Sequence, residues 1–453
     1  MRKSLYIFIP LAIVLFGCEK FLDEKTNKKL VVPNSLRDVQ ALLDAYSNLN
    51  ISDPGEGEVA ADDYYLEENT WAALRNEEDR RAYVWEPDYS TTYQRWWTTY
   101  RNVYYANTVL ENLEAIGRNP MEGRQWDDIK GQALFLRAKS FLSAVTVWSL
   151  AYDEATSETD LGVPLRLDSD YNMASRRASV EDTYAQIIAD LREAIDLLPP
   201  RPEILFRGSR PAAMALLARA YLFMRDYDNC LYFADACLQI KDDLLDYNDL
   251  NPSISYPMPD YVQDNVEILY ISALASGHLP LAVSRALVDT NLYHAYGTND
   301  LRKMLFFQER GIGTYSFKGS YLKSGTLFSG LATDEVYLMR AECLARLGNI
   351  EAAMDDLNKL LSHRYVNAAY SPLETDNGDD ALQYILQERR KELLLRGLRF
   401  PDVKRLNKEG AGISFRRILG GVEYKLPAND LKFALSIPEE VIELAPEITQ
   451  NLR

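Results

Sequence analysis

Histidine and cysteine are scarce in this chain of 453 residues, which holds three of the first and four of the second. His278, His294 and His363 stand alone in the sequence, and none falls in a His-Glu-x-x-His or similar spacing, so no metal-ligand set and no cofactor is expected. Past Cys18 the cysteines are Cys230, Cys237 and Cys343, an odd number that excludes a complete disulfide framework. Cys230 and Cys237 lie in a strongly helical stretch, about 10 Å apart along the axis at roughly 1.5 Å per residue. Bridged cysteines need Cα atoms within roughly 7 Å, so both are expected as free, buried thiols. Positive charge is also short. Lys and Arg number 50 against 67 Asp and Glu, a formal charge of −17 with no basic stripe, which excludes nucleic acid as a partner. There is no Gly-x-Ser-x-Gly elbow and no phosphate loop with its Lys, and Gly311-Ile312-Gly313 lacks a third glycine and a βαβ setting. No apolar run reaches the about 20 residues that cross a bilayer; Leu134 to Leu150 is interrupted by Arg137, Lys139 and Ser140.

What is present begins at the N-terminus. Arg2 and Lys3 precede a short apolar run from Leu5 to Phe16, the pattern of a secretory signal. The junction Leu15-Phe16-Gly17-Cys18 resembles the bacterial lipobox, in which cleavage before Cys frees a thiol for lipidation. Residues 1–17 are therefore expected to be a lipoprotein signal peptide, with Cys18 the lipidated residue. One acyl chain holds weakly and two or more hold stably, at about 0.8 kcal/mol per buried CH₂.

The body exceeds what one hydrophobic core usually serves, so two lobes or a stacked array are expected. Its periodicity is mostly helical. Leu134, Ala138, Phe141, Val145 and Trp148 share one face, and Tyr93, Trp97, Tyr100 and Tyr104 form a second stripe that reads as core. Trp96 points to a different face. Val180 to Leu198 is a further helix, entered through Ser179 and closed by Pro199-Pro200. Pro211 to Ile240 reads as a helical hairpin with its turn at Asp226-Tyr227-Asp228, and resembles a tetratricopeptide (TPR) unit. Ala218, Cys230 and Cys237 match that unit's small inner-face positions, with Tyr221 at the aromatic one. Thr333 to His363 is a second such unit, with Ala341, Ala353 and a turn at Gly348-Asn349. Long irregular segments, 50–92 and 241–331, interrupt the rhythm; such segments are usually functional loops.

A family resemblance then emerges along the chain. Cys18-Glu19-Lys20-Phe21-Leu22-Asp23, Leu30-Val31-Val32-Pro33-Asn34-Ser35-Leu36 and Ala41-Leu42-Leu43-Asp44 resemble the opening of SusD/RagB-type outer-membrane lipoproteins of Bacteroidetes, and Ala61-Asp62-Asp63-Tyr64-Tyr65 is a further match. Tyr105-Ala106-Asn107-Thr108-Val109-Leu110, Thr333-Asp334-Glu335-Val336-Tyr337-Leu338, Glu388-Arg389-Arg390-Lys391-Glu392-Leu393 and Ser436-Ile437-Pro438 continue it in order. Arg396-Gly397 stands where the family commonly has Glu-Gly. The resemblance implies a mostly α fold, an irregular array of about four TPR-like helical hairpins with loop-rich insertions forming a ligand face. It also implies a partner, a TonB-dependent SusC-type barrel that imports a captured glycan or peptide nutrient. The protein would be lipid-anchored in the outer membrane, facing the cell exterior. The corresponding division is 18–240 and 332–453 as helical regions, with 241–331 as the ligand-face segment.

Aromatic residues are the candidates for that face, since a flat apolar ring with a polar tip suits sugars and peptides alike. The chain has 29 Tyr against 15 Phe. Tyr64, Tyr65, Trp71 and Trp85 lie in one loop-rich stretch without helical spacing. Tyr293 and Tyr296 lie in the other, with Asn291, Asn299 and Asp300 nearby. These six aromatics are the expected ligand contacts. Asp62-Asp63 and Glu67-Glu68 are carboxylate pairs that could form a glycosidase dyad, but in so acidic a chain they read first as solvated surface. A TPR adaptor binding protein partners is the main alternative, and a glycan-degrading enzyme a weaker one.

Overall fold

A computed structural model describes residues 33–86 and 93–453, apart from the side chains of residues 93–95. Cys18, the signal segment and the Tyr93 side chain lie outside the described residues.

The fold is mostly α. Helix Gly123–Trp148 is buried on almost every side from Ile129 onward, because Tyr93–Ile116 packs against it from one direction and Val180–Leu197 from another. Leu134, Ala138, Phe141, Val145 and Trp148 all enter the principal core, as their spacing predicts. Local chemistry sets the boundaries. Ser179 caps Val180–Leu197 by accepting from Asp182 N at 2.9 Å. Ser209 caps Arg210–Met224, with Pro211 in its first turn, and Arg225 in a left-handed conformation ends it. Asp226 then caps Tyr227–Leu238. Ala218, Cys230 and Cys237 are fully buried between these two helices, where Cys237 Sγ donates to the carbonyl of Pro211 at 3.3 Å. The second hairpin joins Thr333–Arg346 to Ile350–Ser362 through Gly348 (φ +84°), a backbone conformation that suits glycine. It buries Ala341 and Ala353. Helix Tyr227–Leu238 packs on Thr333–Arg346, so the array continues across the 241–331 insertion.

The insertion and the 50–86 segment fold into each other and build a second core. Tyr64–Tyr65 pairs antiparallel with Leu287–Val288, and Asp53 bridges to Leu274. Tyr247, Tyr296, Phe306, Phe317 and Tyr321 are buried there.

The stripe through Trp97 is a correction. Trp97 is 46% exposed and Tyr104 45% exposed, while Trp96, Val103, Ala106, Val109 and Leu113 are buried. Trp96 stacks on Tyr100 and meets Trp148 edge-on at 4.9 Å. Both stripes share Tyr100, and ring size alone favours the wrong one. The close approach of two long helices selects the face carrying Val103, Ala106 and Val109 instead.

Buried charge ties the loops to the C-terminal helices. Glu388 and Glu392 accept from Arg302 at 2.6 and 2.9 Å, Arg389 donates to Asp402 at 2.8 Å, and Lys391 pairs with Asp300 at 3.1 Å. Arg364 joins Glu392 and Glu267 at 2.7 and 2.6 Å. Arg396 pairs with Asp334 at 2.7 Å. Among the described residues no helix is long and apolar enough to cross a membrane.

Candidate functional site

The six aromatics separate by environment. Tyr64, Trp85 and Tyr296 are buried, a correction to their reading as ligand contacts. Each is committed to the fold through its polar tip, as buried Tyr and Trp usually are. Tyr64 Oη donates to the carbonyl of Val59 at 2.9 Å, Trp85 Nε1 to that of Ala60 at 3.0 Å, and Tyr296 Oη to that of Lys391 at 2.7 Å. Tyr64, Tyr83 and Trp85 also surround the guanidinium of Arg417, with ring centroids at 5.4, 3.5 and 4.7 Å. That cation, far away in sequence, explains why aromatics crowd a stretch without helical spacing.

Tyr65, Trp71 and Tyr293 remain partly exposed. The pairing of Tyr64–Tyr65 with Leu287–Val288 brings the two irregular segments together, with Tyr65 opposite Leu287 and so close to the start of the helix that follows. Thr290 opens the short helix Thr290–Ala295, capped by Asp289 accepting from Leu292 N at 2.9 Å, and that helix carries Tyr293. Trp71 donates Nε1 to the carbonyl of Arg80 at 3.0 Å and packs against the same second core as Tyr293. Burial raises the Tyr65 hydroxyl above its ordinary range, and the nearby Glu67 carboxylate adds to it.

One partner was not read from the sequence. Tyr315 lies flat on Tyr293, with centroids 3.6 Å apart and planes 12° apart. It comes from a hairpin, Phe307–Gly311 with Thr314–Phe317, in which it sits opposite Glu309. The signal was there: alternating Thr314-Tyr315-Ser316-Phe317 follows Gly311-Ile312-Gly313, the hairpin's turn. Tyr293 is braced by Phe307 edge-on at 5.3 Å and by Lys303 Nζ at 4.8 Å from its centroid. Tyr315 has no further ring contact among the described residues. Burial, then the neighbouring Tyr315 hydroxyl, pushes the Tyr293 hydroxyl up to about 12, so it stays protonated. Asn291, Asn299 and His294 are exposed, with His294 edge-on to Tyr293 at 5.6 Å, whereas Asp300 is buried in its ion pair with Arg302.

Asp62 and Asp63 are tied to arginines rather than solvated, and burial raises the Asp63 carboxyl above its ordinary range. Asp62 receives Arg399 at 2.7 Å and Asp63 receives Arg390 at 2.8 Å. Burial works against the Asp62 anion, yet Arg399 and Arg390 bring it below the usual carboxylate range. Glu67 and Glu68 are exposed. What the face offers is therefore stacking, tyrosine hydroxyls, exposed amides and one lysine, which suits noncovalent binding of a polyhydroxylated ligand.

Comparison with known proteins gives a consistent picture. Residues 20–222 match the family described as starch-binding, associating with the outer membrane, and residues 333–452 match the SusD family. A solved structure from Bacteroides vulgatus ATCC 8482 superposes with a TM-score of 0.77 at 22% identity, covering 93% of this chain and 99% of that one. A SusD superfamily protein from Bacteroides thetaiotaomicron VPI-5482 gives 0.74 at 22% identity over 92% and 100%. A laminarin-binding SusD-like protein gives 0.65 at 18% identity over 91% and 97%. No curated protein matches the sequence.

Proposed function

The chain belongs to the SusD/RagB family, and from that premise we propose that it is a surface lipoprotein that captures an oligosaccharide and hands it to a TonB-dependent SusC-type barrel. The observation that carries this reading is the Tyr293–Tyr315 stack, a pair of rings at 3.6 Å left partly exposed, with Asn291 exposed on the same short helix as Tyr293. An apolar face bordered by hydroxyls and amides complements a sugar ring, which is apolar on its faces and polar at its edge. The same-fold laminarin binder makes a glycan the first ligand to test. On this reading the regions 18–240 and 332–453 are the scaffold, and 241–331 supplies the binding segment with help from Tyr65 and Trp71. Cys18 anchors the body to the outer membrane, with the ligand face toward the exterior.

An adaptor reading is weaker, because the small inner positions such as Ala218, Cys230 and Ala341 are consumed by packing between the helices. A hydrolase reading is weaker too, since Asp62 and Asp63 are held by Arg399 and Arg390. The test is affinity purification of the tagged, full-length protein from outer membranes, followed by glycan binding. Capture of a large β-barrel and binding without product supports the proposal. Arrival with soluble proteins alone, or turnover of the bound glycan, would overturn it. Cys18→Ser should release the protein from washed membranes if the anchor is as read.

A further inference from the structure

Trp97 and Tyr104, misplaced by the periodicity of their helix, line a groove of about 320 Å³ together with Tyr100, Tyr171 and Leu444. The helix Tyr93–Ile116 completes its buried stripe through Trp96, while Trp97 and Tyr104 stand on its exposed side, where Tyr104 meets Tyr105 edge-on at 6.3 Å. The two are about 10 Å apart along the axis at roughly 1.5 Å per residue, with Tyr100 between them. Tyr171 is 85% exposed and has no ring or hydrogen-bond partner among the described residues.

The loop that presents Tyr171 is nonetheless tightly held. Asn107, fully buried on the same helix, donates to the carbonyls of Arg166 at 3.0 Å and Asp168 at 2.8 Å, and accepts from Arg137 at 3.0 Å. Ser169 N donates to Glu111 at 2.6 Å, and Arg166 reaches across the loop to Ser175 at 3.1 Å and to the carbonyls of Met173 and Asp170. The backbone of this loop is thus pinned to the helix through the buried Asn107, which sets where Tyr171 emerges.

The chemistry narrows the occupant. Glu439, Glu440, Glu443 and Glu447 are exposed around Val441 and Leu444, so an anionic membrane surface would be repelled. Spaced flat rings beside the rim side chains of Asp168 and Ser169 fit neutral rings with polar edges. We infer that this groove is a second platform for a neutral oligosaccharide, separate from the Tyr293–Tyr315 face, with which it shares no lining residue. The inference rests on the glycan-capture reading and extends it to longer chains that engage two faces.

The experiment uses the full chain and an array of neutral oligosaccharides, with calorimetric titration of the tightest array ligand. Three proteins are compared: wild type, Trp97→Ala with Tyr104→Ala, and Tyr293→Ala with Tyr315→Ala. The groove variant should bind about tenfold more weakly, roughly 1.4 kcal/mol, and hydroxyl-radical footprinting should show the ligand protecting Trp97 and Tyr171. Unchanged affinity without protection would overturn the groove. Loss confined to the Tyr293/Tyr315 variant would leave the first face standing and remove the second. Loss confined to the groove variant would do the reverse, and a wild type that binds no glycan would overturn both. Sedimentation of the wild type, but not the groove variant, with phosphatidylcholine vesicles would make the groove a membrane contact and end the proposal.

Discussion

Arg417 lies 4.7 Å from the centre of the Trp85 ring, inside a cage whose other walls are Tyr64 and Tyr83. Its guanidinium donates to the carbonyls of Val59 at 3.0 Å, Ala61 at 2.6 Å and Tyr83. Trp85 is thus a structural residue joining the 50–86 segment to the strand Phe415–Leu419, where it also stacks on Phe415 at 6.2 Å. Trp85→Ala should cost about 3–5 kcal/mol of stability, measured by urea unfolding. A variant as stable as wild type but weakened only in ligand binding would contradict this placement.

Arg364 is the hub of the buried charge between Glu267 and Glu392. Removing one partner of a buried ion pair leaves the other charge uncompensated, at about 3–5 kcal/mol. Arg364→Met should therefore destabilise by roughly that amount, more than an exposed change such as Arg416→Met, whose pair with Glu423 is on the surface. Equal effects in denaturant titrations would show that the network is not what holds the loops down.

Glu58 predicts a particular pH dependence. It is buried with Oε2 accepting from Gly397 N at 2.7 Å, and Oε1 has no hydrogen-bond partner among the described residues. Burial, then the adjacent Asp63 carboxylate, pushes it up to about 8 from an ordinary 4.5. The folded chain keeps a proton that the unfolded chain releases, so this group's contribution is fully present below about 4.5 and is lost as pH rises toward about 8. Glu58→Gln removes that dependence. Its stability relative to wild type should grow between those values and level off above them; parallel pH–stability curves would refute the assignment.

The scaffold was legible because helices announce themselves locally. Ser179, Pro211 and Gly348 mark boundaries that the structure keeps, and the Leu134–Trp148 stripe is buried as read. The motif Glu388 to Glu392 could be matched but not explained, since its partners Arg302, Asp63 and Asp300 are distant in sequence. The binding face was half legible for the same reason. Whether a loop aromatic is core or surface depends on what folds over it: Arg417 covers Trp85, and Phe307 meets Tyr296 edge-on at 5.0 Å. Trp97 failed differently, because two overlapping helical stripes differ only in which one a neighbouring helix can approach.

Cys230 and Cys237 test the hairpin packing. Both are free and buried, and burial pushes the Cys237 thiol up to about 12. Neither should react with iodoacetamide in the native protein, and both should react after unfolding. Cys237→Leu should overpack the hairpin and cost roughly 1–3 kcal/mol. Rapid native labelling would contradict the inner-face assignment.

The central claim is that the Tyr293–Tyr315 pair holds a glycan, and Tyr315→Ala reaches it most directly because that ring has no other ring contact among the described residues. Isothermal titration with an array-selected oligosaccharide should show affinity falling about tenfold, roughly 1.4 kcal/mol, while the thermal midpoint stays near that of wild type. Wild-type affinity in Tyr315→Ala, with the protein folded and the glycan bound, would contradict the account.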